Sequence, residues 1–238
     1  MTDVEPGDER GGRDPEGGPG HGAHGVGGEL PAVDLVVLAG GRGERLGGAD
    51  KAALVVDGRT LLERVLDVDL GGRVVVVGDT PVPDGVHRTL EDPPGGGPVA
   101  GIAAGLDLLD GVGSAVPEAP AAGRGGAATP DPAPAAWVAV CAVDQPAATV
   151  GLGLLRDALP GADPSVDAVG PVDGQGRRQW LLAVYRQTAL RSALQRVGQP
   201  RHAAMRTLVA DLSWHDVVVG PEHLGDIDTW EDLRRWDP

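Results

Sequence analysis

The chain has 238 residues, a formal charge of −15 at pH 7 and an isoelectric point near 4.6. Such an acidic body repels polyanions, which argues against a general nucleic-acid or anionic-membrane surface and leaves room for a small anionic ligand at a local basic site. Hydrophobic residues make up 41% of the sequence, but with five Trp, one Tyr and no Phe the core must be built from Val, Leu and Ala. A single cysteine, Cys141, offers no disulfide framework and points to a reducing, cytoplasmic setting. No apolar run approaches the roughly 18 residues of a membrane span.

Residues 1–30 are rich in glycine and acids and poor in large apolar side chains, so they read as a disordered tail that cannot offset the entropy of ordering. The tail lacks the basic and apolar regions of a signal peptide. His21 and His24 within it read as inert. The remainder, 31–238, reads as one domain. Val33 to Ala39 is an apolar run with one acid, Asp34, and suits a strand buried on both faces. It breaks into a loop where Gly40, Gly41, Gly43, Gly47 and Gly48 let the backbone approach a ligand and turn N–H groups toward an anion. Arg42, Arg45 and Lys51 add cations for a polyphosphate. Of the 20 Lys and Arg residues only Lys51 is a lysine, a compact point charge suited to phosphate.

Ala53 to Val56 reads as a short extended piece before the turn Asp57-Gly58. Thr60 then caps a helix reaching Leu70, with Glu63 completing a capping box. Arg73 to Val77 is a second buried strand and Val86 to Leu90 a weaker third. The Pro-Pro-Gly-Gly-Gly-Pro run after Asp92 is a tight loop ahead of a helix over 99–109. Residues 111–136 are a low-complexity insertion of Ala, Gly and Pro. Trp137 to Val143 resumes as a strand ending at Asp144-Gln145-Pro146, followed by a helix over 150–159. Strands over 166–169 and 179–185, helices over 188–197 and 202–212, a strand over 214–219 and a last short helix after Asp226-Ile227-Asp228-Thr229 complete the chain. Alternating strands and helices predict an α/β fold, a mostly parallel sheet covered on both faces.

Ligands of such a sheet bind beyond the carboxyl ends of its strands, where the glycine loop, the Asp92 loop and Asp144 all fall. A carboxylate held at the sheet's edge can coordinate a hard cation such as Mg²⁺, which makes Asp144 a metal candidate. Asp228 is either a second metal ligand or the cap of the final helix, with Asp226 in reserve. Arg177-Arg178 would suit an anionic acceptor, though an exposed turn explains them equally well. Cys141 belongs to the core, and His87, His202, His215 and His223 lack the spacing of a zinc site.

The loop matches neither the dinucleotide fingerprint nor the P-loop, because Leu46 stands where a third glycine is needed and Lys51 precedes Ala52. Its Leu-Ala-Gly-Gly followed by Gly-x-Arg-Leu-Gly-Gly-x-Asp-Lys resembles the signature loop of the sugar-nucleotidyltransferase-like NTP transferases, and within them the molybdenum cofactor guanylyltransferase family. The resemblance runs from Val33 to Trp236 with one interruption. It implies a Rossmann-like, doubly wound α/β domain and a Mg²⁺-dependent transfer of GMP from GTP to a molybdopterin-type acceptor, with molybdoenzyme maturation proteins as further partners. Carried onto matching positions, Leu38, Ala39, Gly40 and Gly41 hold the nucleotide, Lys51 contacts phosphate and Asp92 touches the nucleotide. Asp144 binds nucleotide and metal, Asp228 binds metal opposite it, and Arg45, Lys51 and Asp144 carry catalysis. The family's Asn after the second strand is replaced by Gly78-Asp79, and Gln145 also departs from the commoner pattern. A cytidylyltransferase for the same cofactor, or a maturation factor that binds nucleotide without turnover, remain the alternatives; the glycine form of the loop leans toward guanine.

Overall fold

The computed structural model describes residues 30–41, 44–114 and 132–236. Apart from Leu30 the expected acidic tail lies outside the described residues, as do Arg42, Gly43 and positions 115–131 of the expected insertion.

Nine strands and six α-helices follow one another among the described residues. They are β1 (Val33–Leu38), β2 (Val55–Val56), β3 (Arg59–Thr60), α1 (Leu61–Leu66), β4 (Gly71–Val77), β5 (His87–Thr89) and α2 (Pro98–Ser114). After these come β6 (Trp137–Ala142), α3 (Ala148–Ala158), β7 (Ala168–Val172), β8 (Leu182–Arg186), α4 (Gln187–Val197), α5 (Met205–Leu208), β9 (Trp214–Val218) and α6 (Trp230–Trp236). Strands β2 and β3 form a small hairpin. The other seven make one sheet in the order β5-β4-β1-β6-β8-β7-β9. It is parallel except at β8, which runs against both β6 and β7.

Every residue of β1 is buried, as expected of a central strand covered on both faces. Side chains alternate across it into two cores. Val33, Leu35 and Val37 pack with α1, α3 and the segment around Ile227, while Val36 and Leu38 pack with α2, α4 and α5. Helix α2 approaches the sheet closely because Gly105 presents no side chain: a Cβ there would lie 2.6 Å from Val36 Cγ1.

The acid inside β1 is explained by its partners. Asp34 is fully buried, and its carboxylate accepts hydrogen bonds from Arg73 Nη2 at 2.7 Å, from the Arg73 backbone N–H at 2.8 Å and from Gln187 Nε2 at 2.8 Å. Arg73 Nη1 donates to the Leu109 carbonyl at 2.7 Å. A buried charge so satisfied ties β1, β4, α2 and α4 together at the end of the sheet where β1 begins.

The Thr60–Glu63 capping box forms as its spacing predicts. Helix α1, however, ends at Leu66 rather than Leu70, since Leu70 is needed to pair its carbonyl with the Val33 N–H as the chain enters β4. The helix expected over 202–212 shrinks to α5, because His202 takes a positive φ of 57° and Val209 leaves helical geometry to feed β9. At the other boundary α2 continues through Ser114, so the expected insertion begins later than residue 111.

Two glycines of α2 provide a paired test of this packing. Gly105→Ala should lower stability by about 1–3 kcal/mol through overpacking against Val36, whereas Gly111→Ala, with nothing within 4 Å of its Cβ, should raise it by about 0.5–1 kcal/mol through helix propensity. Urea unfolding of the two variants checks the opposite signs.

Candidate functional site

The site lies where the chain order of the sheet reverses, with β4 on one side of β1 and β6 on the other. Two backbone bonds keep the three strand ends level. Ala39 N–H donates to the Val77 carbonyl at 2.9 Å, and Val143 N–H donates to the Leu38 carbonyl at 3.0 Å. Gly78 follows β4 against Ala39, where a Cβ would come 2.9 Å from the Ala39 carbonyl carbon. No side chain fits there, which leaves Asp79 as the polar residue on this wall, 3.4 Å from Arg88.

The glycine loop returns to the core through Leu46, which is buried, and then reverses at Gly47 and Gly48, whose φ values of 70° and 83° suit glycine. Asp50 caps the short 3-10 turn Lys51–Ala53 by accepting from the Ala52 N–H at 3.0 Å. Ala52 is buried, so the turn is seated on the core and Lys51 leaves it in a fixed direction. Its ammonium donates to Asp144 Oδ2 at 2.7 Å and to Asp228 Oδ1 at 2.6 Å.

Asp144 reaches this point as the chain leaves β6. Asp228 reaches it because its neighbour Ile227 is fully buried and donates its N–H to the Asp144 carbonyl at 2.9 Å. The capping role that competed for Asp228 in the sequence is taken one residue later. Thr229 and Asp232 form the reciprocal box at the start of α6, with the Thr229 N–H donating to Asp232 Oδ2 at 2.9 Å and the Asp232 N–H to Thr229 Oγ1 at 3.2 Å. Arg45 stands 3.9 Å from Asp228 Oδ2 with a largely exposed side chain.

Burial pulls the Lys51 pKa down, but the hydrogen bonds and charges of Asp144 and Asp228 outweigh it and hold the ammonium above its ordinary value. Asp226 shows the opposite balance: burial, then repulsion from Asp144 and Asp228, keeps its carboxyl above the usual carboxylate range.

Leu38, Ala39, Gly40, Gly41, Lys51 and Asp144 all line one cavity of about 1100 Å³. Asp92 is exposed and outside the lining, which takes Glu91 from this loop; Glu91 Oε1 accepts from the Gly95 and Gly96 N–H groups at 3.0 and 3.3 Å. Sequence reasoning missed Arg201 and His202, which also line the cavity. His202 was weighed only as a zinc ligand and lacked the spacing for one, and a signal for either would have required knowing that the segment after α4 folds back onto the Pro-Gly loop. Arg177 and Arg178 lie outside the lining and are paired with Asp173 and Asp216. Among the described residues no cluster of three or more His, Cys, Asp or Glu could hold a metal; Asp144 and Asp228 meet at the Lys51 ammonium. No helix among the described residues is long and apolar enough to cross a membrane.

A family profile described as the MobA-like NTP transferase domain matches residues 35–217. The chain belongs to this family. Among curated proteins it is 37% identical over 91 residues to the molybdenum cofactor guanylyltransferase of Rhodopseudomonas palustris (strain HaA2), covering 33% of this chain and 40% of that protein. It is 39% identical over 85 residues to the protein of the same name from Acidiphilium cryptum (strain JF-5), covering 30% and 40%. The chain thus spans about 40% of the length of the curated relatives it matches. Among solved structures it resembles molybdopterin-guanine dinucleotide biosynthesis protein A from Archaeoglobus fulgidus, with a TM-score of 0.57 and 20% identity over 86% of this chain and 97% of that one. It also resembles 2-C-methyl-D-erythritol 4-phosphate cytidylyltransferase from Thermus thermophilus, with a TM-score of 0.51 and 20% identity over 85% and 96%. At these identities the solved structures speak for a shared fold.

Cys141, on β6 just before the site, reports on the packing beneath Asp144. Burial, reinforced by the Asp144 charge, pushes its thiol from an ordinary 9.0 up to about 12. The native thiol therefore stays protonated and should resist iodoacetamide at pH 8, while urea-unfolded protein is alkylated, as mass spectrometry would read. Because the folded pKa is the higher one, the thiol's contribution to stability is complete below pH 9.0 and is lost as pH rises toward about 12. The slope approaches about 1.4 kcal/mol per pH unit, and Cys141→Ala should make the alkaline decline shallower.

Proposed function

We propose that the chain is a nucleotidyltransferase that moves the GMP unit of GTP onto the phosphate of a molybdopterin-type acceptor and releases pyrophosphate. The observation that carries this reading is the Lys51 ammonium held between Asp144 and Asp228, with Lys51, Asp144 and Leu38–Gly41 lining one cavity. The family membership and the printed names of the curated relatives support it.

In this reading the backbone of the signature loop holds the nucleotide. An acceptor phosphate oxygen attacks the α-phosphorus in line; the new P–O bond forms as the bond to the bridging oxygen breaks, and pyrophosphate leaves with the electron pair. Lys51, released from its carboxylates, meets the phosphate charge, and Arg45 reinforces it from the loop. No protein nucleophile is required, in keeping with a buried Cys141. Asp144 and Asp228 converge on one positive point, and these two hard carboxylates are the residues that would hold a Mg²⁺ ion. Bound there, the ion supplies Lewis-acid neutralisation of phosphate charge. The glycine form of the loop and the names of the relatives favour GTP over CTP. A cytoplasmic location fits the lone unpaired cysteine.

The test is a thermal-shift comparison of GTP, CTP, ATP and UTP with Mg²⁺, followed by pyrophosphate release with molybdopterin as acceptor. GTP at about 100 times its dissociation constant should stabilise the protein by roughly 2.7 kcal/mol, and Lys51→Ala should remove most of the shift. Asp144→Asn should slow pyrophosphate release by about 10²–10³-fold. A CTP preference would assign the cytidylyl reaction, and binding without release would assign a maturation factor.

A further inference from the structure

The point on which Asp144 and Asp228 converge is held by Lys51, and it is shielded: the side chains of Lys51 and Asp144 are 16% and 18% exposed. Each carboxylate commits one oxygen to the ammonium, Asp144 Oδ2 at 2.7 Å and Asp228 Oδ1 at 2.6 Å. The other oxygen of Asp228 faces a second cation, since Arg45 stands 3.9 Å from Oδ2. Two positive charges of the glycine loop are thus set against the two acids. The backbone keeps them together. Ile227 N–H ties the Asp228 segment to the Asp144 carbonyl at 2.9 Å, and the Asp50 cap and buried Ala52 seat the turn that carries the lysine.

Such a pair of acids serves one cation at a time. A divalent ion drawn to Asp144 Oδ2 and Asp228 Oδ1 needs the lone pairs that the ammonium occupies, and its charge would be set against Lys51 and Arg45 at close range. Mg²⁺ also gives up water reluctantly, so two carboxylates already neutralised offer it little. A triphosphate changes the balance. Lys51 lines the same cavity as Leu38–Gly41. Its stem is flexible and its three donors are not fixed in one plane, so it can exchange carboxylate oxygens for phosphate oxygens without unseating its turn. The two acids then lose their counter-ion just as the phosphate charge calls for one.

We propose that Lys51 excludes divalent cations from the Asp144–Asp228 pair until a nucleoside triphosphate draws the ammonium away, so that metal and nucleotide enter this site together. The proposal rests on the nucleotidyltransferase reading of the site. The coupling is reciprocal: the factor by which nucleotide raises metal affinity is the factor by which metal raises nucleotide affinity. Lysine suits this exchange better than arginine, whose planar fork would grip one carboxylate bidentately.

The experiment uses the full chain and two readouts that need no turnover. In the first, Mn²⁺ is titrated without nucleotide and the free ion is followed by electron paramagnetic resonance, on wild type, on Lys51→Met and on Lys51→Met combined with Asp228→Asn. Methionine keeps the length of the stem and removes the charge. Lys51→Met should bind one Mn²⁺ about 10- to 100-fold more tightly than wild type, the range of a site-to-site coupling, and the added Asp228→Asn should abolish the gain. Equal affinities in wild type and Lys51→Met overturn the proposal, as does a gain that survives Asp228→Asn. The second readout needs no variant. Because Lys51 is the only lysine of the chain, ¹³Cε-lysine labelling places a single signal at the site. Mg²⁺ alone should leave that signal unmoved, and GTP with Mg²⁺ should shift it. A shift produced by Mg²⁺ alone overturns the proposal, and so does a signal unmoved by GTP and Mg²⁺ while thermal stabilisation shows that GTP is bound. Failure of every nucleotide to stabilise the wild type would refute the nucleotidyltransferase reading itself, and this proposal with it; a GTP stabilisation alongside equal Mn²⁺ affinities would refute the proposal alone.

Discussion

One ammonium group gathers three distant parts of the chain. Lys51 meets Asp144, 93 residues away, and Asp228, 177 residues away, and without it two carboxylates would face each other across a shielded gap in an already acidic protein. Removing such a partner leaves uncompensated charge in a half-buried place, which is more damaging than the net worth of the ion pairs suggests. The choice of lysine follows from the geometry. A compact ammonium with rotatable donors can serve two carboxylates from different elements and still be redirected to a phosphate, whereas the planar fork of arginine favours one partner at a time.

That arrangement is only as firm as the backbone behind it. Asp228 stands on a segment anchored by the buried Ile227, whose N–H is spent on the Asp144 carbonyl, so the backbones that carry the two carboxylates are tied together. Lys51 stands on a turn seated by the buried Ala52 and capped by Asp50. The charged groups are thus positioned by apolar burial and main-chain bonds on the core side, while Lys51 and Asp144 line the cavity.

What the sequence made legible was local. The Thr60–Glu63 box, the buried run of β1 and the glycine reversal before Lys51 follow from neighbours a few residues apart, and the alternation of strands and helices was enough for the sheet. The gathering of Lys51, Asp144 and Asp228 could be suspected from the signature loop, because the ends of parallel strands share one edge. Less was readable where distant segments decide. For Asp228 the sequence left a cap and a metal ligand equally open, because Asp-Thr-Trp-Glu is a plausible box, yet Thr229 with Asp232 is the box that forms once Ile227 is drawn into the core. Arg201 carried no signal, since its partner carbonyl on Pro93 is 108 residues away in the chain. Helix ends failed for the same reason: Leu70 and Val209 obey the strands they lead into rather than helix propensity.

The far end of the sheet bears on the site through register. Between the pairs Val33–Gly71 and Leu35–Val74, β4 carries one more residue than β1, and a Cβ on Gly72 would fall 2.3 Å from the Val33 carbonyl oxygen. This bulge leaves the Arg73 N–H without a ladder partner on β1, and the buried Asp34 carboxylate accepts it. Asp34 therefore does for the register what no apolar residue in β1 could: it stabilises the bulge and penalises any slip, because a shifted β4 would strand a buried charge. With the register fixed there, Val77 ends level with Leu38, so that the Ala39 N–H finds its carbonyl and the glycine loop starts from a defined point. The acid that interrupts the apolar strand and the lysine that waits beyond it are thus parts of one device, the first setting the alignment of the strands and the second using it.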